Sequence, residues 1–433
     1  MNTEAWKAEF EGRRILIWGF GREGKSSLAW IRHLLPDLPL AVAEPASRLE
    51  SLRQMNLENV TLIREEEINT DDYDLILKSP GIVIPKGMDR SKISQQSHLF
   101  LKHHRTQTIG ITGTKGKSTT ASLAAAVLSE QYRTHLVGNI GIPCFDILPE
   151  LKEEDQVVFE ISCHQLEYCP YSPRIGVYLN LYEEHLDHYE SFQAYGDAKA
   201  NVFRNQEEGD IAILHEDLPY AEEREDAYLI GRDIHAEGKT LFFKEHSVTA
   251  KHPKLIGAHN MTNAAIVYAI ARLLDVSDAS FLRALDEFQP LHHRLEKIAE
   301  KDGITYVNDS ISTIGQASIA ALNSLPETDV ILIGGMDRGI DYKALEDCLV
   351  SRKDRHVIFM YATGRRIHEE MKTAGQLHDN MHVCDDLEAA VKLAARLCRK
   401  GHIVLLSPAA SSYDHFKNFE ERGEVFGRLV EQL

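Results

Sequence analysis

Short apolar runs recur along the chain, each closed by glycine, proline or polar residues and followed by sequence with helical spacing. The first group, RRILIWGF, PLAVAEP, VTLIRE and DYDLILKSPG, predicts the strands of a unit that ends near residue 95. Residues 91–105 read as a polar connector. Beyond it TIGITGTKG runs into the helix-prone STTASLAAAVLSEQ, and the strand candidates VVFEIS, RIGVYLNL and DIAILHE follow at intervals that leave room for helices. Pro290 and the HHR after it mark the next break. ITYVNDS, DVILIGG, HVIFMYATG and HIVLLSPAA then predict a third unit of the same kind. Apolar strands alternating with helices predict an α/β fold with mainly parallel sheets. No short-period repeat or low-complexity segment interrupts the pattern.

A length of 433 residues accommodates several cores, since one domain typically takes roughly 150 residues. Acidic residues outnumber basic ones 66 to 48, a net charge of −18, which is the wrong sign for coating nucleic acid or an anionic membrane. Any anionic ligand must therefore be held by a local site. The first residues carry no basic segment leading into an apolar one, and no apolar run approaches the roughly 18 residues needed to span a bilayer. The expected location is the cytoplasm, with no membrane or nucleic-acid partner. The six cysteines are scattered without a C-x-x-C pair, so small buried hydrophobes are expected, not a zinc or disulfide framework.

The strongest chemical signal is GITGTKGKSTT, residues 110–120, between a predicted strand and a predicted helix. A glycine-rich turn there aims backbone N–H groups and a helix N-terminus at phosphates, Lys117 neutralises β/γ charge, and the Ser118 hydroxyl can ligate Mg²⁺. The strict G-x-x-x-x-G-K-[ST] spacing is not met, because its first glycine falls on Ile111. A second signal, Gly19-Phe20-Gly21-Arg22-Glu23-Gly24, follows a strand and opens a helix, with Glu44 placed to accept from ribose hydroxyls. Alone it favours NAD; beside a second phosphate loop, a sugar nucleotide diphosphate fits equally well. A third group, Glu160 at a strand end, His185 in LNLYEEHLDHY and Lys199 in AYGDAKANVF, can converge at the carboxyl edge of a parallel sheet, where Mg²⁺ and phosphates bind. A nicotinamide oxidoreductase and a nucleotide-dependent switch are the competing readings.

Taken together, these residues resemble the Mur ligase family. The resemblance runs over essentially the whole chain and is carried by G-T-K-G-K-S at 113–118, GNIGIP, FEISCHQLE, LNLYEEHLDHY, AHNMTNAA, HHRLE, NDSIST, GGMDR and SPAASSYDHFKNFEERGEVF. The last three resemble the members that add D-glutamate. The resemblance implies three domains: an N-terminal Rossmann-like UDP-binding unit (1–95), a central P-loop-type ATPase (96–290) and a C-terminal Rossmann-like unit that takes the amino acid (291–433). It implies an ATP-dependent amide-forming ligase joining D-glutamate to UDP-N-acetylmuramoyl-L-alanine, in cytoplasmic peptidoglycan precursor synthesis and so in cell shape and division. The working form is expected to be a monomer with ATP, two Mg²⁺ ions and a carbamylated Lys199.

By the same resemblance, Gly113, Thr114, Lys115, Gly116, Lys117, Ser118 and Thr119 meet the ATP phosphates, and Asn260, Arg294 and Asp309 complete the nucleotide site. Ser118 and Glu160 take one Mg²⁺, His185 and Lys199 the other. Lys117, His185 and Lys199 are the catalytic candidates. Gly21, Arg22, Glu23, Glu44, Pro45 and Gly81 face the uridine diphosphate, while Asn139, Ser162 and Gln165 face the muramoyl part. Thr313, Arg338, Ser412 and Phe419 hold D-glutamate, although Ser412 also reads as a helix cap. Relatives often continue NDS with lysine; here that place is Ile311. The resemblance further implies that the C-terminal domain closes on ATP to complete the site.

Overall fold

The computed structural model describes residues 3–183, 188–251, 253–255, 257–289 and 291–433. His185 and Pro290, both singled out in the sequence, lie outside the described residues. The chain divides into two compact units, Met1–Lys251 with Thr262–Asp286, and His252–Met261 with Glu287–Leu433.

The first unit holds two sheets. Strands β1 (Ile15–Trp18), β2 (Leu40–Glu44), β3 (Val60–Arg64), β4 (Leu75–Lys78) and β5 (Ile93–Ser94) form an all-parallel sheet in the order β3-β2-β1-β4-β5. The second sheet comprises β6 (Thr108–Thr112), β7 (Thr134–Gly138), β8 (Gln156–Glu160), β9 (Ile175–Tyr178), β10 (Ile211–His215), β11 (Tyr228–Ile230), β12 (Ile234–Glu237), β13 (Thr240–Phe243) and β14 (His246–Thr249). Its order is β14-β13-β12-β11-β10-β9-β6-β8-β7. The predicted parallel strands are present, but β12 to β14 form an antiparallel extension that the apolar runs did not announce. Hairpin strands covered on one face alternate apolar and polar residues, so they carry no continuous apolar run.

Residues 91–105 are not a polar connector. They add β5 to the first sheet and then form the helix Gln96–His104, in which Leu99, Phe100 and Leu101 are buried in one hydrophobic cluster with Trp6, Trp30, Phe145 and Phe159. The polar residues misled because Gln96 is satisfied internally, its amide donating to Glu23 O at 2.9 Å and Ser27 Oγ at 3.0 Å. Phe100 is fully buried and packs edge-on against Phe159 at 5.8 Å. Phe100→Ala is accordingly expected to destabilise this unit by about 3–5 kcal/mol in urea unfolding; an unchanged midpoint would make the helix a mere spacer.

The second unit holds β15 (Glu296–Lys301), β16 (Ile304–Asn308), β17 (Thr328–Ile333), β18 (His356–Phe359), β19 (Met381–Val383) and β20 (Ile403–Leu406), ordered β15-β16-β20-β17-β18-β19. Only β15, polar and unpredicted, runs antiparallel. The cysteines are all free; Cys144, Cys163, Cys169 and Cys398 are buried as expected, while Cys348 and Cys384 are partly exposed. Among the described residues no helix is long and apolar enough to cross a membrane.

Candidate active site

In all three sheets the strand order reverses direction near the middle, and ligands of such sheets bind beyond the carboxyl ends of the strands at that point. Many of the sequence-derived residues lie beyond strand carboxyl ends.

At the end of β6 the chain turns through Gly113 (φ +150°) and Gly116 (φ +84°) into the helix Lys117–Leu128. A Cβ on Gly113 would meet Leu179 Cβ at 2.9 Å and one on Gly116 would meet Asn263 Oδ1 at 3.0 Å, so both positions require glycine. Lys117 Nζ donates to the carbonyls of Gly113 and Thr114, each at 2.9 Å. Thr119 is buried in the first turn of the helix. The loop is clamped by a residue the sequence reading gave no role. Asn180 Oδ1 accepts from the N–H groups of Thr114 (3.1 Å) and Lys115 (2.8 Å), and its amide donates to Lys115 O at 3.1 Å. An asparagine directly behind a buried strand, in LNLYEEH, was the available signal.

Two more predicted residues come to the same strand ends. Lys199, in the helix Phe192–Ala200, is 1% exposed; its Nζ donates to Gly113 O at 2.8 Å and lies 4.7 Å from the Tyr195 ring centroid. Glu160 closes β8 and is fully buried. Its Oε1 accepts from Asn139 Nδ2 at 3.0 Å, whereas Oε2 has no hydrogen-bond partner among the described residues. A buried carboxylate oxygen left in that state is costly unless something cationic meets it, so this carboxylate suits a metal ion. Among the described residues no three His, Cys, Asp or Glu side chains gather into a ready-made metal cage. A hard cation here would draw the rest of its oxygen ligands from Ser118, phosphates and water, as Mg²⁺ commonly does.

Asn139 joins this site to a second one. A cavity of about 160 Å³ is lined by Arg22, Glu23, Pro80, Gly138, Asn139, Pro143, Ser162 and Gln165. Arg22 and Glu23 open the helix Arg22–Leu34 after β1; the other walls come from the turns after β4, β7 and β8. Arg22 Nη2 reaches across to Gly141 O at 2.6 Å, and Gln165 Nε2 donates to Glu23 Oε1 at 2.8 Å. Burial pushes the Glu23 carboxyl up to about 7, against the opposing hydrogen bond from Gln165 and the charge of Lys78. Glu44 is nearly inaccessible. Its carboxylate accepts from Phe20 N–H at 2.5 Å and pairs with Arg48 at 3.2 Å, so it braces the glycine turn. Pro45 caps the following helix, Ala46–Arg53, and Gly81 is exposed in the turn after β4.

In the second unit, Asp309 follows β16 and is buried; burial pushes its carboxyl up to about 6, while hydrogen bonds from Ser312 and Ser407 and the charge of Arg294 oppose the shift. Ser312 Oγ and Ser407 Oγ donate to it at 2.5 and 2.8 Å. Asn260 is nearly buried in the helix Ala258–Leu273. An isolated bridge between Met336 and Ser411 sets the turn carrying exposed Arg338 beside the one carrying buried Ser412. Ser412 is not the cap of the following helix: Asn418 is, its Oδ1 accepting from Glu421 N–H at 2.9 Å, because the helix begins only at Phe419. Thr313 lies in the turn after β16, partly exposed. Arg422, unremarked in the sequence, is fully buried and donates to Ser310 Oγ (3.0 Å), Ser310 O (2.8 Å) and Ala410 O (2.9 Å), while Ser310 Oγ donates to Phe419 O at 2.8 Å. It thereby ties together the turns that carry Thr313, Ser412 and Phe419. Its position inside FEERGEVF, a charge within an amphipathic helix, reads as a solvent-facing residue, and only the packing distinguishes it.

Residues 111–271 match the Mur ligase middle domain, and residues 293–410 match the Mur ligase, glutamate ligase domain. The chain is 35% identical to the UDP-N-acetylmuramoylalanine–D-glutamate ligase of Desulfovibrio desulfuricans over 98% of its own length and 97% of the relative's. The chain belongs to the Mur ligase family. As a Mur ligase it is an ATP-dependent, amide-forming enzyme, which removes the oxidoreductase and switch readings of its two glycine turns. A second relative, the UDP-N-acetylmuramoyl-L-alanine–L-glutamate ligase of Xanthomonas euvesicatoria, is 32% identical over 98% of this chain and 96% of its own. The fold also matches a MurF ligase from Thermotoga maritima in complex with ADP, at a TM-score of 0.61 and 18% identity over 91% of this chain and 95% of that one.

Proposed function

We propose that this Mur ligase joins D-glutamate to UDP-N-acetylmuramoyl-L-alanine in the cytoplasm, as a step of peptidoglycan precursor synthesis. Residues 1–95 would bind the UDP end, 96–290 ATP, and 291–433 the amino acid. The observation that carries the reading is Asn139, which lines the cavity shared with Arg22 and Glu23 and also holds Glu160 beside the phosphate loop. A substrate seated there would extend its carboxylate from the uridine-side turns toward the γ-phosphate.

Amide formation needs the carboxylate activated, since a carboxylate oxygen is a poor leaving group. One carboxylate oxygen attacks the γ-phosphorus, the bond to the β,γ-bridging oxygen breaks, and ADP leaves. The glutamate amine then attacks the acyl phosphate carbonyl, gives up a proton, and inorganic phosphate departs. Positioning and charge neutralisation dominate such transfers. Lys117 and the loop N–H groups would cradle the triphosphate, with Asn180 keeping those N–H groups aimed. Ser118 and Glu160 would hold one Mg²⁺, and His185 with Lys199, the latter as a carbamate, would hold a second; the metal neutralises phosphate charge when bound. Asn260, Arg294 and Asp309 would complete the nucleotide site, and Thr313, Arg338, Ser412 and the backbone at Phe419 would take glutamate, with the guanidinium forked onto its carboxylate. Where it does not ligate Mg²⁺, His185 is a candidate acceptor of the amine proton.

Phosphate release from ATP, measured with UDP-N-acetylmuramoyl-L-alanine and each of D-glutamate, L-glutamate, L-lysine and diaminopimelate, tests the reading. Turnover is expected with D-glutamate alone. The Xanthomonas relative supports a second reading, addition of L-glutamate, and turnover confined to the L enantiomer would establish that instead.

A further inference from the structure

Lys78, the last residue of β4, is 2% exposed, and its ammonium is enclosed by main chain. Nζ donates to Ser79 O at 3.2 Å, Pro80 O at 2.9 Å and Ile82 O at 2.8 Å, which uses all of its protons. Burying an ammonium is expensive, and an apolar side chain of similar length would fill the same space without that cost. The charge therefore serves something besides packing. What it holds is the turn 79–82, wrapped round the cation so that successive carbonyls point inward.

That turn is part of the cavity. Pro80 lines it, and Ser79 locks the turn onto the end of the neighbouring strand β1, just before Arg22 and Glu23 of the same cavity: its N–H donates to Trp18 O at 2.8 Å and its Oγ to Gly19 O at 3.1 Å. The fit is close enough that a Cβ on Gly19 would meet Ser79 Oγ at 2.6 Å and Ile82 Cδ1 at 2.8 Å. Glu23, on the same cavity, and Glu167 are the carboxylates whose charge favours the ammonium, while burial opposes it and lowers its pKa to about 8.

We propose that Lys78 is a positioning residue for the UDP-sugar: by gathering the carbonyls of Ser79, Pro80 and Ile82 it fixes the wall of the cavity that the uridine diphosphate end occupies. The inference rests on the proposed assignment of that cavity. Lys78→Met removes the donors at nearly constant volume and leaves three carbonyls without their partner. Its KM for UDP-N-acetylmuramoyl-L-alanine should rise by about tenfold or more, with kcat within about threefold and the KM values for ATP and glutamate within about twofold. Lys78→Gln, neutral but still a donor, should recover part of the loss. Should the methionine variant not fold, calorimetric binding of the UDP-sugar to the glutamine variant decides, with weaker binding than wild type expected. An unchanged KM for the UDP-sugar, unchanged binding by the glutamine variant, or an equal rise in all three KM values would overturn the inference. The wild-type enzyme separates the two claims: if it neither binds nor turns over the UDP-sugar, the proposed function fails and takes the inference with it, whereas wild-type turnover with an indifferent Lys78 variant refutes only the inference.

Discussion

Lys117→Ala is expected to lower ATP-dependent phosphate release by about 10³-fold, close to 4 kcal/mol of transition-state stabilisation at about 1.4 kcal/mol per decade. The size follows from what the residue is asked to do. Phosphoryl transfer leaves little covalent work for a protein, so a cation held at the transferring group carries much of the acceleration. Lys117 heads the helix Lys117–Leu128, and its Nζ stands 2.9 Å from the carbonyls of Gly113 and Thr114, within the phosphate loop itself. Asn180 and the two positive-φ glycines hold the loop as well, so its shape does not rest on the lysine alone. The variant should therefore unfold near the wild-type temperature while its activity collapses. Arginine should not restore activity, since a planar fork cannot replace a compact ammonium in a loop this tight. Turnover near the wild-type rate in Lys117→Ala would remove the loop from the chemistry.

Lys199→Ala should cost about 10²-fold or more, the range seen when one charge-stabilising group is lost from such a site, and the loss should be partly reversed by acetate or propionate. The second half of the expectation is the informative one. Lys199 is 1% exposed and its Nζ lies 2.8 Å from Gly113 O, at the loop that would admit Mg²⁺ and a triphosphate under the proposed function. An unmodified ammonium there would repel the metal; addition of CO₂ turns the amine into an anion able to ligate it or orient its ligands. Alanine leaves a void lined by the same partners, into which a short carboxylate fits. Labelled bicarbonate offers an independent check, as a carbamate carbon signal should be present in the wild type and missing from the variant. Full activity in Lys199→Ala, or loss without rescue and without the carbamate signal, would remove the modification from the mechanism.

Much of the site was legible because it is built from strand–turn–helix units that are local in sequence. Gly113-Thr114-Lys115-Gly116-Lys117-Ser118 and Gly19-Phe20-Gly21 each announce a tight turn behind an apolar strand, and each is found at a strand end. Glu160 and Lys199 were picked out for their chemistry and proved to be buried at the same edge. The misreadings have a common cause. Residues 91–105 looked like a connector, and Arg422 drew no expectation, because a polar side chain bonded to the interior cannot be told from a solvated one by composition. Glu44, expected to accept from ribose hydroxyls, also has a role that spacing alone does not reveal, its Oε1 bracing the glycine turn through Phe20 N–H and Arg48. Strands β5, β7, β11 to β15 and β19 were missed because short, edge or antiparallel strands lack the apolar run that marks a buried parallel one.

The sequence by itself determined the alternation of strands and helices, the two glycine turns and the residue types that could meet phosphate, since each depends on neighbours a few positions apart. Only the tertiary structure decided what those residues face. Lys199 meets Gly113 across 86 positions, Glu23 meets Gln165 across 142, and Asn139 reaches Glu160 because β7 and β8 are paired at the edge of the second sheet. Sheet order is set by burial of apolar faces over the whole unit, and through it by contacts that no local pattern encodes. The enclosure of Lys78 by the turn it precedes belongs to the same class, for the charge is plain in the sequence and its use is visible only once the strands are assembled.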